Sequence, residues 1–250
     1  MTSDVRPSPA ARRDRRLGLR LGLGAVAAVL VAVPFTLLTV LVLGQYESLE
    51  RADRAVADGF HSWVIHRLWL VKTFDVLATV TSPNTWRVVA AVVAVVLWRR
   101  GRRRLVYWLV TTMAVGGLLS LVLKLLVARA RPSFPDPVTT ASGYSFPSGH
   151  ALNSMLFAGV MVVLLHPATR GARRALVWTV AVLLVVVTGV DRLALGVHYL
   201  SDVLAGWVVA LATVFATTAA FATWRAQEGL PAASPQTGLE PEGPRPRSTP

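Results

Sequence analysis

The sequence contains no cysteine and few charged residues, and both shortages narrow the class of protein. Without cysteine, neither a disulfide bond nor a thiolate metal site is possible. Charged residues make up 16% of the 250 residues, whereas a soluble domain usually has about 25%. Hydrophobic residues make up 54%, and the mean hydropathy is +0.53. Several apolar blocks approach the roughly 20 residues that a helix needs to cross a bilayer, so the composition predicts one membrane domain.

Acidic residues are scarcer than basic ones, with 13 against 26 and a net charge of +13. A basic surplus can indicate nucleic-acid binding when the basic residues form a patch. Here the arginines lie between apolar blocks, a pattern typical of membrane proteins, so no nucleic-acid partner is expected. The heavy use of Ala, Val, Arg and Leu is typical of a bacterium with a GC-rich genome.

The apolar blocks predict an all-α, polytopic membrane helix bundle with six spans. The first block is too long for the apolar part of a signal peptide, which favours an uncleaved helix. Residues 1–20 and 225–250 are predicted to be disordered tails, and residues 45–82 an amphipathic segment on the outer surface. Whether that segment covers a functional site is left open. The predicted spans are about 21–43, 83–98, 105–127, 148–165, 175–190 and 199–224.

The distribution of basic residues predicts the orientation in the membrane. The N-terminal tail, the loops near residues 100 and 172, and the C-terminal tail hold six, five, three and three basic residues, which is 17 of the 26. Because cytoplasmic loops carry an excess of Lys and Arg, both termini are predicted to lie in the cytoplasm. The polar loop after the third span is then extracytoplasmic.

Lys124 and Arg131 form the first candidate cluster, near the end of the third span. They are seven residues apart, or about two helical turns, which predicts that they share one helix face, with Pro132 ending the helix. A lysine at the end of an apolar helix is a candidate functional residue. The alternative is that Lys124 only snorkels to the interface.

The second cluster is Pro147-Ser148-Gly149-His150, immediately before an apolar span. Serine and proline are typical of a helix start, and free N–H groups at a helix start bind anions. Gly149 lets the backbone approach a phosphate, and His150 lies in the first helical turn. An ordinary helix cap with an interfacial histidine is the alternative interpretation.

The third cluster is Asp191-Arg192 followed by His198 and Asp202, which is predicted to open the last span. His198 and Asp202 are four residues apart, so the two are expected to meet on one helix face. A carboxylate on one imidazole nitrogen leaves the other nitrogen free to attack. The alternative is a buried polar pair that only packs helices.

These three clusters, in this order, resemble the signature motifs of the type 2 phosphatidic acid phosphatase (PAP2) superfamily. The matching patterns are Lys-x6-Arg-Pro, Pro-Ser-Gly-His and Arg-x5-His-x3-Asp. The motifs run from Lys124 to Asp202, and the helix pattern extends the resemblance to about residues 80–224. The resemblance implies a membrane lipid phosphatase domain within residues 21–224. The distribution of basic residues predicts that its active site lies at the extracytoplasmic face of the cell membrane.

The resemblance also implies a role for each motif residue, with no metal or other cofactor. His198 attacks phosphorus and forms a phosphohistidine, Asp202 orients His198, and His150 acts as general acid and then base. The residues implied to hold the phosphoryl oxygens are Lys124, Arg131, Ser148, Gly149 and Arg192. One position departs from the family, because Asp191 replaces the serine that usually precedes the arginine. This change is expected to preserve activity but to weaken phosphate binding or alter substrate preference.

The lipid substrate stays open among undecaprenyl diphosphate, phosphatidic acid and phosphatidylglycerol phosphate, as does the oligomeric state. Two alternative functions would use the same fold: the protein could be a lipid-linked phosphotransferase or a non-catalytic lipid-binding protein. The resemblance also includes vanadate-dependent peroxidases, which the transmembrane character disfavours because those relatives are soluble. A transporter is disfavoured because the ionisable residues lie at helix ends.

Overall fold

The protein, described here by a computed structural model, is all-helical over residues 32–227, the part of the chain that the structure describes. This confirms the predicted fold class. The predicted segments 1–20, 21–31 and 228–250 lie outside the described residues, while residues 225–227 belong to the last helix instead of a tail. The helices are α1 (Ala32–Leu43), α2 (Glu47–Val64), α3 (Leu68–Val80), α4 (Pro83–Arg99), α5 (Arg103–Val127), α6 (Gly149–Leu165), α7 (Gly171–Ala194) and α8 (Leu200–Gln227).

Helices α5, α6, α7 and α8 are each long and apolar enough to cross a membrane. Two further spans are possible if each of two bent helix pairs counts as one span. Helices α1 and α2 meet at a bend of 91°, and helices α3 and α4 meet at a bend of 41°. Large apolar side chains face outward, including Leu125 and Leu126 on α5 and Leu183 on α7, which are 63%, 72% and 56% exposed. Such a surface suits contact with lipid, and the chain is a membrane protein.

Helix α6 lies at the centre of the bundle and packs against α4, α5, α7 and α8. Leu152 and Leu156 of α6 are fully buried against the α8 residues Val209 and Ala210. At Gly206 of α8, an added Cβ would lie 2.8 Å from the carbonyl oxygen of Ser148 at the start of α6. Only glycine permits this approach, so the starts of α6 and α8 lie side by side.

Helix α5 ends earlier than the motif spacing predicts. Its last residue is Val127, and Ala128 has a left-handed backbone with φ of 48°. Arg131 therefore lies beyond the helix, and Pro132 does not end it. The prediction that Lys124 and Arg131 share a helix face is wrong, although the two side chains still come together, as described below.

Helix α7 is longer than predicted and changes the placement of the third cluster. It includes Asp191 and Arg192 in its last turn, so these residues close α7 and do not open α8. A turn at Gly196, with φ of 67°, leads to α8, which begins at Leu200. His198 thus lies in the connection between the two helices, and the predicted helical pairing with Asp202 is wrong in its geometry.

The predicted amphipathic segment at residues 45–82 forms α2 and α3, and its apolar face packs against protein. Val64 of α2 and Phe74 of α3 are buried against Ala194 and Leu195 at the end of α7. Helix α2 also contacts α8, while charged residues such as Arg54 remain exposed. The segment therefore covers one end of the bundle instead of only lying on its surface.

Candidate functional site

The three predicted clusters meet at one end of the bundle, where α5 and α7 end and α6 and α8 begin. A backbone hydrogen bond from the Ser148 N–H to the Asp202 carbonyl, 2.9 Å long, joins the starts of α6 and α8 directly. The loop from Ala128 to Pro147 lies at the same end, and Ser145 binds back to the Arg129 carbonyl. Helix ends, rather than helix faces, bring the predicted residues together.

His198 is buried at the centre of this site and is only 3% exposed. Its Nε2 lies 3.2 Å from Nη1 of Arg131, and its Nδ1 lies 3.5 Å from Oδ2 of Asp202. Because a guanidinium only donates hydrogen bonds, Nε2 must be the acceptor, which places the ring proton on Nδ1 beside the carboxylate. Burial lowers the pKa of His198 to about 4, against the opposing influence of Asp202. The ring is therefore neutral near pH 7, with a lone pair on Nε2.

The Asp202 carboxylate is held on both oxygens. Oδ1 accepts a hydrogen bond of 2.7 Å from Nη1 of Arg129, and Oδ2 accepts one of 2.9 Å from the backbone N–H of Tyr199. The side chain is fully buried. A carboxylate fixed in this way keeps one oxygen directed at His198.

Arg131 is held next to His198 by the loop that carries it. Its guanidinium donates to the carbonyl oxygens of Ser142, Gly143, Tyr144 and Val197 at 2.7 to 3.3 Å, besides the contact with His198. All five N–H groups thus have acceptors. Burial, with a smaller effect of Arg192, lowers the pKa of Arg131 from that of a free guanidinium. The side chain is preorganised beside Nε2 of His198.

Lys124 approaches the same place from the last turn of α5. Its Nζ donates to the Tyr144 carbonyl oxygen at 2.6 Å, the oxygen that Arg131 also contacts. The charges of Lys124 and Arg131 both act on His198. Lys124 therefore contributes to a partly buried cationic cluster, which the snorkelling alternative does not predict.

Ser148 and Gly149 form the start of α6 as predicted. The Ser148 hydroxyl is buried and accepts from the Ala151 N–H at 3.5 Å, as in a helix cap. An added Cβ on Gly149 would be 3.8 Å from Cε of Lys124, so the lysine lies alongside the first turn. The first N–H groups of a helix have no partner within that helix, and here the Lys124 side chain lies near the first turn.

His150 lies in the first turn of α6 and is partly buried. Its Nε2 is 3.3 Å from the carbonyl oxygen of Ala78 on α3, so the 45–82 segment reaches the site at this point. The charges of Arg192, His198 and Arg131 all act on the ring. His150 therefore borders the same polar space as the nucleophile candidate.

Arg192 is paired with Asp191, the residue that departs from the family pattern. Nε of Arg192 donates to Oδ2 of Asp191 at 3.0 Å, and Nη2 binds the same oxygen. Arg192 is 5% exposed and Asp191 is fully buried. The acidic substitution thus places a carboxylate directly on one of the cations predicted to hold phosphate.

Two residues of the site were not predicted: Asp53, which is buried, and Arg129, which is partly buried. Arg129 contacts Asp202 and, through Nη2, Oδ2 of Asp53 on α2 at 2.8 Å. Arg129 resembles any loop arginine next to an apolar span, and Asp53 lies in a segment with many charges. No local pattern marks either residue, because their importance depends on contacts between distant parts of the chain.

The chain is similar to a known family and to several known proteins. The sequence model of the PAP2 superfamily matches residues 105–226, which include all three motifs. Phosphatidylglycerophosphatase B of Bacillus subtilis is 36% identical over 100 residues, which is 39% of this chain and 49% of that protein. The Escherichia coli protein of the same name is 41% identical over 88 residues, 34% of this chain and 30% of that one. Decaprenylphosphoryl-5-phosphoribose phosphatase of Mycobacterium tuberculosis is 37% identical over 126 residues, which is 48% of this chain and 63% of that protein.

Two solved structures share the fold. The transmembrane PAP2 type phosphatidylglycerolphosphate phosphatase from Bacillus subtilis aligns with a TM-score of 0.66 at 24% identity, over 77% of this chain and 94% of that one. Aquifex aeolicus LpxE aligns with a TM-score of 0.50 at 20% identity, over 64% of this chain and 92% of that one. At these identities the likeness shows the fold alone. The chain spans about half or less of the length of the phosphatidylglycerophosphatase B proteins that it matches.

Proposed function

Because the sequence model of the PAP2 superfamily matches residues 105–226, we propose that the protein is a membrane phosphatase that hydrolyses a lipid phosphomonoester or diphosphate. The observation that carries the proposal is the environment of His198. One ring nitrogen faces Asp202, and the other carries a lone pair beside the cations Arg131 and Lys124. A neutral imidazole with this arrangement is a nucleophile aimed at an anion-binding site.

In the first step, Nε2 of His198 attacks phosphorus and the bond to the leaving oxygen breaks. The phosphoryl group displaces Arg131 from Nε2, and the freed N–H binds a phosphoryl oxygen instead. His150 donates a proton to the leaving oxygen as general acid. Asp202 stabilises the positive charge that develops on the His198 ring, because its Oδ2 lies 3.5 Å from Nδ1.

In the second step, water hydrolyses the phosphohistidine. His150, now neutral, takes a proton from the water, which attacks phosphorus and releases inorganic phosphate and free His198. Lys124, Arg131, Arg192 and the N–H groups at Gly149 stabilise the negative charge on the phosphoryl oxygens in both steps. In many enzymes, such preorganised charge makes the largest single contribution to the rate enhancement. Because these side chains supply the positive charge, the proposed mechanism requires no metal ion.

The lipid nature of the substrate is supported by the position of the site at the ends of membrane helices. The polar cluster lies directly beyond apolar surface such as Leu125 and Leu126 of α5, so a headgroup can reach His198 while its chains stay in the bilayer. The names of the relatives favour phosphatidylglycerol phosphate or a polyprenyl-linked phosphate. Undecaprenyl diphosphate and phosphatidic acid share the same phosphate chemistry and remain candidates.

We place the site at the extracytoplasmic face and both termini in the cytoplasm. The support is the excess of basic residues in the connections at the opposite end of the bundle, between α4 and α5 and before α7. Cytoplasmic connections carry such an excess in most membrane proteins. Four basic residues lie at the proposed extracytoplasmic end: Lys124, Arg129, Arg131 and Arg192. Their contacts within the site explain why they lie there despite the charge rule.

The proposal is tested by His198→Ala in purified protein, with EDTA present and a panel of isoprenyl diphosphates and glycerophospholipid phosphates. We expect the variant to lose at least about a thousandfold in phosphate release, because no other group replaces the nucleophile. His66→Ala, an exposed histidine between α2 and α3, is the matched control and should retain activity. Full turnover by His198→Ala, or no hydrolysis of any phosphorylated lipid by the wild type, would show that the proposal is wrong.

A further inference from the structure

Asp53 is a buried carboxylate on α2 that the mechanism above does not use. It is 2% exposed, although it lies in a helix with an exposed, charged outer face. Its Oδ1 accepts a hydrogen bond of 3.0 Å from the backbone N–H of Ser201, and its Oδ2 accepts from the Ser201 hydroxyl. Ser201 belongs to the first turn of α8, so Asp53 caps the helix that carries Asp202.

Arg129 connects Asp53 to the nucleophile. Nη2 of Arg129 donates to Oδ2 of Asp53 at 2.8 Å, and Nη1 donates to Oδ1 of Asp202 at 2.7 Å. The guanidinium also contacts the Ser201 hydroxyl and lies 4.2 Å above the ring of Tyr199. These contacts form one continuous path from α2 to the carboxylate beside His198.

The charges in this path favour a role beyond packing. A buried ion pair contributes little net stability, because desolvation offsets the attraction between its charges. Although burial opposes the charge of Arg129, Asp202 and Asp53 together raise its pKa. Without Asp53, one side of Arg129 would be left without a carboxylate. Arg129 would then be held only by Asp202 and the Ser201 hydroxyl, so its position beside Oδ1 of Asp202 would be less fixed.

We propose that Asp53 is a positioning residue for the nucleophile: it anchors Arg129, which in turn holds the Asp202 carboxylate towards Nδ1 of His198. This inference rests on the proposed function, because it assigns Asp53 a part in the same phosphoryl transfer. Asp53 contacts Arg129 and Ser201, which are not among the residues proposed to hold phosphate. Its loss should therefore slow the chemical steps and leave phosphate binding unchanged.

The test is Asp53→Asn in the full-length protein, assayed with a short-chain lipid phosphate in detergent. The amide oxygen of asparagine can still accept from the Ser201 N–H, while its NH2 group cannot accept from Arg129. We expect kcat to fall by roughly 10- to 100-fold, the effect of one lost charge-assisted hydrogen bond. The KM and the inhibition constant of inorganic phosphate should stay within about twofold. Asp58→Asn, an exposed aspartate on the same helix, should leave all three unchanged.

A double-mutant cycle separates positioning from a structural role. If Asp53 acts through Arg129, Asp53→Asn should cause no further loss of kcat when Arg129→Gln is already present. Should Asp53→Asn fail to fold, Arg129→Lys takes its place: lysine keeps the charge but cannot bridge both carboxylates, so kcat should again fall by about tenfold.

Three results would overturn the inference. The first is a wild-type kcat in whichever of Asp53→Asn and Arg129→Lys folds. The second is additive losses of kcat for Asp53→Asn and Arg129→Gln in the double-mutant cycle, and the third is a loss of kcat that is explained by a lower melting temperature alone. Any of these would leave the proposed function intact, because the wild type would still hydrolyse the substrate. A wild type without phosphatase activity would instead remove the proposed function and this inference together.

Discussion

Replacing Asp191 with serine, the residue usual in the family, should strengthen phosphate binding. Asp191 is fully buried, and its carboxylate binds two nitrogens of Arg192. That ion pair offsets one of the cations that the proposed mechanism uses to hold the phosphoryl group. Asp191→Ser removes the negative charge, and the serine hydroxyl remains able to donate a hydrogen bond.

The size of the effect follows from the geometry of the guanidinium. A phosphoryl oxygen on the far edge of Arg192 would lie about 7 Å from the Asp191 carboxylate, where two unit charges repel by about 2.4 kcal/mol at an effective dielectric constant of about 20. Water and salt at the mouth of the site weaken this repulsion. We therefore expect phosphate affinity to rise by about tenfold, which corresponds to about 1.4 kcal/mol. A diphosphate, which carries more negative charge, should gain more than a monophosphate.

The assay is the inhibition constant of inorganic phosphate, measured with KM values for a monophosphate and a diphosphate lipid. Asp75→Asn is the matched control: Asp75 lies on α3 near Asp191 and carries the same charge, but its side chain is exposed and screened by solvent. An equal shift in the control, or no shift in Asp191→Ser, would refute the electrostatic argument. Weaker phosphate binding in Asp191→Ser would also refute it and would show that Asp191 mainly holds Arg192 in place.

Two further predictions concern the fold and its orientation. Gly206→Ala should destabilise the protein by about 1–3 kcal/mol, because its Cβ would lie 2.8 Å from the Ser148 carbonyl oxygen. A thermal unfolding series should show this against Gly59→Ala, where nothing lies within 4 Å; equal melting temperatures for the two would contradict the packing. Reporter fusions after Gly101 and Ser142 should report cytoplasm and exterior, respectively, and a cytoplasmic signal from the second would reverse the proposed topology.

Much of the bundle could be predicted from the sequence because helix starts have a local chemistry. Ser82 and Ser148 both cap helices, and α4 and α6 begin at or next to the predicted residues. The apolar blocks after them are long enough to identify as spans. The apolar pattern also predicted the end of α5 at Val127, whereas it ended the fifth span near residue 190, before the last turn of α7.

The site was predicted in its composition but not in its geometry. The sequence spacing of Lys124 and Arg131 suggested a common helix face, whereas the structure brings them together at the Tyr144 carbonyl after the helix has ended. Similarly, His198 meets Asp202 from a turn instead of from the helix. Asp53 could not be predicted, since its partner Ser201 is 148 positions away in the sequence.

The arrangement of helix ends explains why one region collects so many ionisable groups at the end of an apolar bundle. Lys124 and Arg192 lie in the last turns of α5 and α7, where cations are favoured by the helix dipole. Asp202 lies in the first turn of α8, where a carboxylate is favoured. The start of α6 then provides N–H groups for an anion between these ends. Because antiparallel neighbours alternate their ends, this geometry supplies cations and anion-binding N–H groups at the same face, and His198 is placed where they converge.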